Sequence, residues 1–129
     1  MTYNYTDISL TEFPGEISLV LYSGSCLCHC PWCFNSHLLN KNPLSFKQMK
    51  DAIDEHDEFI TAVVFSGGEP LLNPFLNKTI KYCKSKNLKI KINTNGLVSD
   101  NIRQNMFLPY VDYINISLKG LWSEYERVL

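Results

Sequence analysis

Residues 17–33 read ISLVLYSGSCLCHCPWC, a short apolar run followed at once by a loop with four cysteines. The run is rich in aliphatic and aromatic residues and is typical of a buried strand. Cysteines this closely spaced indicate chemistry more often than packing. With the spacing Cys26-x3-Cys30-x2-Cys33, three thiolates can bind three irons of a cubane cluster, and the fourth iron then stays open to a small molecule.

The composition narrows the class of protein. A chain of 129 residues with 45% hydrophobic residues is expected to form one globular domain. A formal net charge of −1 argues against binding to nucleic acid or to an anionic membrane. The N-terminus lacks a signal-peptide pattern, and no apolar run approaches the roughly 20 residues of a membrane helix. We therefore expect a cytoplasmic protein, in which clustered cysteines serve metal or redox chemistry rather than disulfides.

The apolar pattern alternates between strands and helices. Strands are predicted over residues 17–22, 62–65, 88–93 and 110–118. Helices are predicted from Ser45, from Asn73-Pro74 and from Ser99 or Asp100 to Phe107. The tail 121–129 has helical spacing and is expected to begin another crossover. The order β-α-β-α-β-α-β predicts an α/β fold with a parallel sheet.

Each predicted strand is followed by an unusual segment. These segments are the cysteine loop, Ser66-Gly67-Gly68-Glu69-Pro70, Asn93-Thr94-Asn95-Gly96 and Ser117-Leu118-Lys119-Gly120. Ligands of parallel α/β folds bind at the carboxyl ends of the strands. The four segments are therefore predicted to converge on one site.

The glycine pair has a physical reason within such a site. Gly67 and Gly68 carry no Cβ, so their backbone can approach a ligand and offer carbonyl oxygens to an ammonium group, beside the Glu69 carboxylate. Each segment also has a plain alternative. GGEP can be a tight turn, Thr94-Asn95-Gly96 a simple turn, and Lys119 a solvated surface residue.

Taken together, the cysteine loop with Trp32 before its last cysteine, and GGEP one β/α unit later, resemble the radical S-adenosylmethionine superfamily. The resemblance implies a partial parallel (β/α) barrel with about four strands in this chain, as a single domain over residues 1–129. Barrels of this family usually have six strands, so the chain is either a compact form or lacks a C-terminal part.

The resemblance also implies cofactors and residue roles. Cys26, Cys30 and Cys33 would ligate a [4Fe-4S] cluster, and S-adenosylmethionine would be reductively cleaved there to a 5′-deoxyadenosyl radical. The residues implied to contact S-adenosylmethionine are Trp32, Ser66, Gly67, Gly68, Glu69, Thr94, Asn95, Ser117 and Lys119. The radical chemistry belongs to the cofactors, and the protein orients them and excludes water and oxygen.

A narrower resemblance lies upstream, where Glu12-Phe13-Pro14-Gly15 and Gly24-Ser25-Cys26 are similar to the start of glycyl-radical-enzyme activases. The similarity is greatest to the activating proteins of anaerobic ribonucleoside-triphosphate reductase. It implies that the partner is a glycyl radical enzyme, with a glycine Cα–H of that partner as the substrate. It also implies a flavodoxin- or ferredoxin-type electron donor. The activases usually carry aspartate where this chain has Ser117.

Three other functions are compatible with parts of the sequence. A radical enzyme acting on a small molecule, similar to 7-carboxy-7-deazaguanine synthase, also carries GGEP and TNG segments. Cys30-Pro31-Trp32-Cys33 resembles the active site of glutaredoxins, thiol redox proteins in which a helix start lowers a thiol pKa. A structural zinc site could use His29 with the cysteines, although such sites usually draw ligands from two separated segments. Metal content distinguishes the cluster, thiol and zinc alternatives.

Overall fold

The computed structural model describes residues 6–26, 28–33, 35–38, 41–97 and 108–129. Its sheet has five strands, whose spatial order equals their order in the chain. They are β1 (Thr6–Ser9), β2 (Ser18–Ser23), β3 (Ala62–Gly67), β4 (Lys89–Thr94) and β5 (Tyr113–Ile116). Strands β2 to β5 are parallel, so the predicted α/β fold with a parallel sheet is confirmed.

Strand β1 lies outside the four predicted strands and makes the sheet mixed. It runs antiparallel to β2, with Thr6 opposite Leu21 and Ser9 opposite Ser18. Its sequence TDIS has one large apolar side chain, Ile8, which remains 36% exposed. Because so little apolar surface is buried, the hydrophobic pattern carries no signal for this strand. It forms by backbone pairing along the edge of β2.

Helix α1 (Phe46–His56) begins as predicted. The Ser45 side chain accepts a hydrogen bond from the Gln48 backbone N–H at 3.1 Å. The Gln48 side chain accepts one from the Ser45 backbone N–H at 2.9 Å. This capping box satisfies backbone donors that the first turn of a helix leaves unpaired.

Helix α2 (Leu76–Ser85) begins two residues later than the Asn73-Pro74 start that the sequence predicts. Asn73 is occupied elsewhere, because its Nδ2 donates to the Leu44 carbonyl at 2.9 Å. Its Oδ1 accepts the Phe75 N–H at 2.9 Å and closes a turn before the helix. Asn73 therefore ties this turn to the segment before α1 instead of capping α2.

Apolar side chains cover both faces of the sheet. The larger core joins Leu19, Val63 and Ile90 to Ile53 of α1 and Ile80 of α2, all essentially without exposure. The opposite face carries a smaller cluster of Phe13, Val20, Ala62 and Val64. Burial on both faces explains why β3 begins with a continuous apolar run and not with alternation.

Short 3₁₀ helices complete the described chain at Ser36–Leu38, Pro70–Leu72, Leu108–Tyr110 and Trp122–Arg127. The last lies in the tail for which helical spacing was predicted, and it buries Tyr125. The predicted helix from Ser99 or Asp100 to Phe107 lies outside the described residues. Among the helices that the structure describes, none combines the length and the apolar character needed to span a membrane.

Candidate active site at the carboxyl edge of the sheet

A cavity of about 330 Å³ lies where the parallel strands end. The strands present their carboxyl ends at one edge of the sheet, and the loop that follows each of them contributes to the cavity wall. All predicted site residues except Glu69 line it, namely Cys26, Cys30, Trp32, Cys33, Ser66, Gly67, Gly68, Thr94, Asn95, Ser117 and Lys119. The predicted convergence of the four segments is therefore present in the structure.

The cysteine loop contains two kinds of thiol. All four cysteines line the cavity, but Cys26, Cys30 and Cys33 are partly exposed, whereas Cys28 is 3% exposed. Burial raises the pKa of the Cys28 thiol to about 11, and burial also raises the pKa of the Cys26 thiol. All five cysteines of the chain are free thiols in this structure.

The glycine pair brings the end of β3 against the start of the cysteine loop. A Cβ on Gly68 would lie 2.0 Å from the Ser25 carbonyl oxygen, and Gly67 has a φ of +102°. The Gly68 N–H donates to Ser23 O and the Glu69 N–H to Ser25 O, both at 2.8 Å. These glycines therefore allow the end of β3 to pack closely against the backbone just before Cys26.

Glu69 lies behind the cavity wall and is fully buried. Its Oε1 accepts the Thr94 hydroxyl at 2.7 Å and the Leu71 N–H at 3.1 Å. Its Oε2 accepts the Asn95 N–H at 2.9 Å. A buried carboxylate is tolerated only when it is well hydrogen-bonded, and these three donors meet that need. The carboxylate therefore joins the GGEP segment to the end of β4.

Asn95 connects the end of β4 to the cysteine loop. Its Nδ2 lies 3.5 Å from the Cys28 Sγ and 3.8 Å from the Cys26 Sγ. Its Oδ1 accepts the Leu97 N–H at 3.0 Å, which closes the turn through Gly96. Thr94-Asn95-Gly96 thus forms the simple turn that the sequence allowed as an alternative, and it is also part of the site.

A polar wall beside the cysteines was not predicted. It consists of Glu12, Lys91 and Asn93, which all line the cavity. The Lys91 ammonium is largely buried and donates to the Glu12 carbonyl oxygen. Asn93 Nδ2 donates to Glu12 Oε2 and to Ser66 Oγ, both at 3.3 Å. The alternating sequence of β4 could have predicted this wall, because Lys91 and Asn93 occupy the face of the strand opposite Ile90 and Ile92.

The fourth segment closes the site on the side of β5. The Ser117 N–H donates to the Thr94 carbonyl at 2.8 Å, which extends the pairing of β4 and β5 into the loops. The Lys119 N–H donates to the Tyr125 hydroxyl at 3.0 Å. The same C-terminal region reaches the cysteine loop, where the His29 N–H donates to the Val128 carbonyl at 2.5 Å.

The donor set suits an iron–sulfur cluster. Three partly exposed thiols face one cavity, and a cubane offers a separate iron to each thiolate. The Cys28 N–H donates to the Cys26 sulfur at 3.4 Å, and such donors stabilise cluster thiolates. No group of three or more His, Cys, Asp and Glu side chains in the described part of the chain is arranged to hold a single metal ion.

The profile of the Radical SAM superfamily matches residues 20–129 of this chain. A protein from Methanocaldococcus jannaschii, named for a proposed glycyl-radical enzyme activating role, is 29% identical over 124 residues. That match covers 94% of this chain and 51% of the relative. A 7-carboxy-7-deazaguanine synthase from Haemophilus influenzae is 28% identical over 88% of this chain and 49% of its own length. The chain thus spans about half the length of these curated relatives.

The fold is similar to that of a solved structure. The crystal structure of QueE from Escherichia coli aligns with a TM-score of 0.58 over 72% of this chain and 52% of that chain, at 18% sequence identity. Together with the family match, this likeness assigns the five-stranded sheet to the partial barrel of radical SAM proteins. The predicted fold class is confirmed.

Replacing Glu69 tests whether its carboxylate holds the two loops together. Glu69→Gln puts an amide donor where one oxygen accepts, so at least one of the three donors loses its acceptor. We expect the free energy of unfolding of the cluster-free protein to fall by about 1–3 kcal/mol, measured by urea denaturation. Glu55→Gln, at an exposed position of α1, is the matched control and should stay within about 0.5 kcal/mol of the parent. An equal decrease in the free energy of unfolding in both variants would contradict the role of Glu69.

Alkylation tests the two kinds of thiol. Burial raises the pKa of Cys28 to about 11 and that of Cys83 to about 12, so both hold little thiolate at pH 8. We expect iodoacetamide to modify Cys30 and Cys33 of the cluster-free protein at least about tenfold faster, since both are partly exposed to the reagent whereas Cys28 and Cys83 are buried. Peptide mass spectrometry gives the rates, and protein unfolded in urea, where all five should react alike, is the control. A Cys28 that reacts as fast as Cys30 would contradict its burial.

Proposed function

Because this chain belongs to the Radical SAM superfamily, we propose that it activates a glycyl radical enzyme, and that its partner is an anaerobic ribonucleoside-triphosphate reductase. Membership of the family establishes that the protein is a radical SAM enzyme and that its cofactors are a [4Fe-4S] cluster and S-adenosylmethionine. The residue roles, the substrate and the partner form the proposal.

The observation that carries the proposal is the meeting of the cysteine loop with the GGEP and TNG segments around one cavity. In the proposed site Cys26, Cys30 and Cys33 hold the cluster, since these three thiols are partly exposed there while Cys28 is buried. The bound cofactors supply the chemistry, which is reductive cleavage of S-adenosylmethionine and hydrogen abstraction by the resulting radical.

The chain's own residues bind and orient S-adenosylmethionine in this proposal. The strand-end backbone at Gly67 and Gly68 lies at the cavity wall, where its polar groups can meet the amino group of the cofactor. Lys119 can pair with the cofactor's carboxylate, and Trp32, 57% exposed, offers a face to the adenine. Ser66, Thr94, Asn95 and Ser117 complete the polar lining of the cavity around the bound cofactor.

We propose for Glu69 a different role from the one that the family resemblance implies. Its two oxygens already accept three hydrogen bonds from the protein, and its side chain is fully buried. We therefore assign it the positioning of the loops that bind the cofactor, and leave contact with the amino group to the glycine backbone.

The activating role is supported by the relative from Methanocaldococcus jannaschii, which matches 94% of this chain. It is also supported by Glu12, which the upstream activase-like segment contributes to the cavity wall. A glycine Cα–H on a partner protein is the proposed site of hydrogen abstraction, and a flavodoxin- or ferredoxin-type protein is the proposed electron donor.

A second candidate function is radical chemistry on a small molecule. It is favoured by the similarity to the 7-carboxy-7-deazaguanine synthase from Haemophilus influenzae. The wall of Glu12, Lys91 and Asn93 offers a carboxylate, an ammonium and an amide, which suit a small polar substrate.

Substitution of single cysteines tests the ligand set. We expect Cys26→Ala, Cys30→Ala and Cys33→Ala each to lower cluster content or 5′-deoxyadenosine formation at least about tenfold, because a cubane loses a protein ligand. Cys28→Ala is the matched control within the same loop and should retain the cluster. Iron and sulfide are assayed after anaerobic reconstitution, and 5′-deoxyadenosine is followed by chromatography. If Cys28→Ala were the variant that lost the cluster, the proposed ligand set would be wrong.

The substrate is tested by mixing the reconstituted protein with an anaerobic reductase, S-adenosylmethionine and dithionite. We expect a glycyl-radical EPR signal on the reductase that is absent with Cys30→Ala. The same mixture without reductase, supplied with a free pterin, tests the small-molecule alternative. Pterin turnover without any glycyl signal would overturn the activating role and leave the radical SAM assignment intact.

A further inference from the structure

The side-chain amide of Asn95 faces the sulfur atoms of the cysteine loop. We propose that Asn95 is a positioning and tuning residue whose Nδ2 donates hydrogen bonds to the loop's sulfurs and raises the reduction potential of the cluster bound there. This inference rests on the proposed function in one respect, because it requires that Cys26 ligates the cluster.

The distances define the contact. Nδ2 lies 3.5 Å from the Cys28 Sγ and 3.8 Å from the Cys26 Sγ, and hydrogen bonds to sulfur are longer than those to oxygen because the sulfur atom is larger. The Cys26 sulfur also accepts the Cys28 backbone N–H at 3.4 Å. Cys26 therefore has two N–H donors around its sulfur, one from the loop itself and one from the end of β4.

The orientation of the amide follows from its other partner. Asn95 Oδ1 accepts the Leu97 N–H at 3.0 Å. Rotating the amide by half a turn would set its NH₂ group against the Leu97 N–H, so that two donors would face each other, and would turn its oxygen toward the Cys26 sulfur. The NH₂ group is thus directed at the sulfurs by the turn that Asn95 itself forms.

The donor is also held before any cofactor binds. Asn95 is 7% exposed, and its backbone N–H donates to Glu69 Oε2 at 2.9 Å. Thr94, directly before it, donates its hydroxyl to the other oxygen of the same carboxylate at 2.7 Å. A donor fixed in this way stabilises negative charge on sulfur without reorganisation.

The effect on potential has a definite sign. Reduction adds one negative charge to the cluster and its thiolates, so a hydrogen bond to sulfur stabilises the reduced form more than the oxidised form. Loss of the donor should therefore shift the potential to more negative values and make the cluster harder to reduce.

Two variants test the inference. Asn95→Ala removes the donor, and Asn95→Asp removes it while keeping an oxygen for the Leu97 N–H, so the turn can form even if the alanine variant fails to fold. We expect each to lower the ratio of reduced to oxidised cluster about tenfold at a fixed poise, which is about 59 mV for one electron. The aspartate should lower it further, because it adds negative charge. Potentiometric titration followed by EPR measures the ratio.

The matched control is Asn93→Ala. Asn93 lies two residues earlier, within β4, and lines the same cavity, but its Nδ2 donates to Glu12 and Ser66 and to neither sulfur. Its variant should keep the parent's potential, whatever happens to its activity. A four-iron cluster whose potential is the same in the parent and both Asn95 variants would overturn the inference. A parent protein that binds no iron would instead overturn the proposed function.

Discussion

The buried carboxylate of Glu69 is the interaction on which the site depends. Desolvating a charged group is costly, and the protein offsets that cost with two donors from the end of β4 and one from the turn that follows β3. One is the Thr94 hydroxyl and another is the Asn95 N–H, while the Leu71 N–H closes the local turn. Because all three must be in place for the charge to be satisfied, the carboxylate couples the position of the GGEP segment to that of the TNG segment.

The cysteine loop is positioned by a second constraint, the lack of side chains at Gly67 and Gly68. Without Cβ atoms the end of β3 lies directly against Ser23 and Ser25, and backbone hydrogen bonds of 2.8 Å form across the contact. The cysteines begin one residue later. The sheet thus fixes the position at which the loop begins. The C-terminal segment also holds the loop, through the hydrogen bond from the His29 N–H to the Val128 carbonyl.

These two constraints meet at Asn95. Its backbone is held by Glu69, and its side chain contacts the sulfurs of the loop that the glycines position. The cavity they enclose has two chemically distinct walls. Thiols and strand-end backbone form one, as cofactors of this family require, and Glu12, Lys91 and Asn93 form the other.

The sequence by itself determined the parallel sheet, the start of α1 at Ser45 and the unusual segment that follows each strand, because each of these depends on residues close together in the chain. Tertiary structure decided the rest. Thr94 lies 25 positions from Glu69, Asn95 lies 67 from Cys28, and Asn93 lies 81 from Glu12. Local sequence patterns do not predict contacts between residues this far apart. The burial of Glu69, the orientation of the Asn95 amide and the polar wall therefore became visible only in the folded structure. Strand β1 belongs with them, since its place comes from pairing with β2 and not from its own apolar pattern.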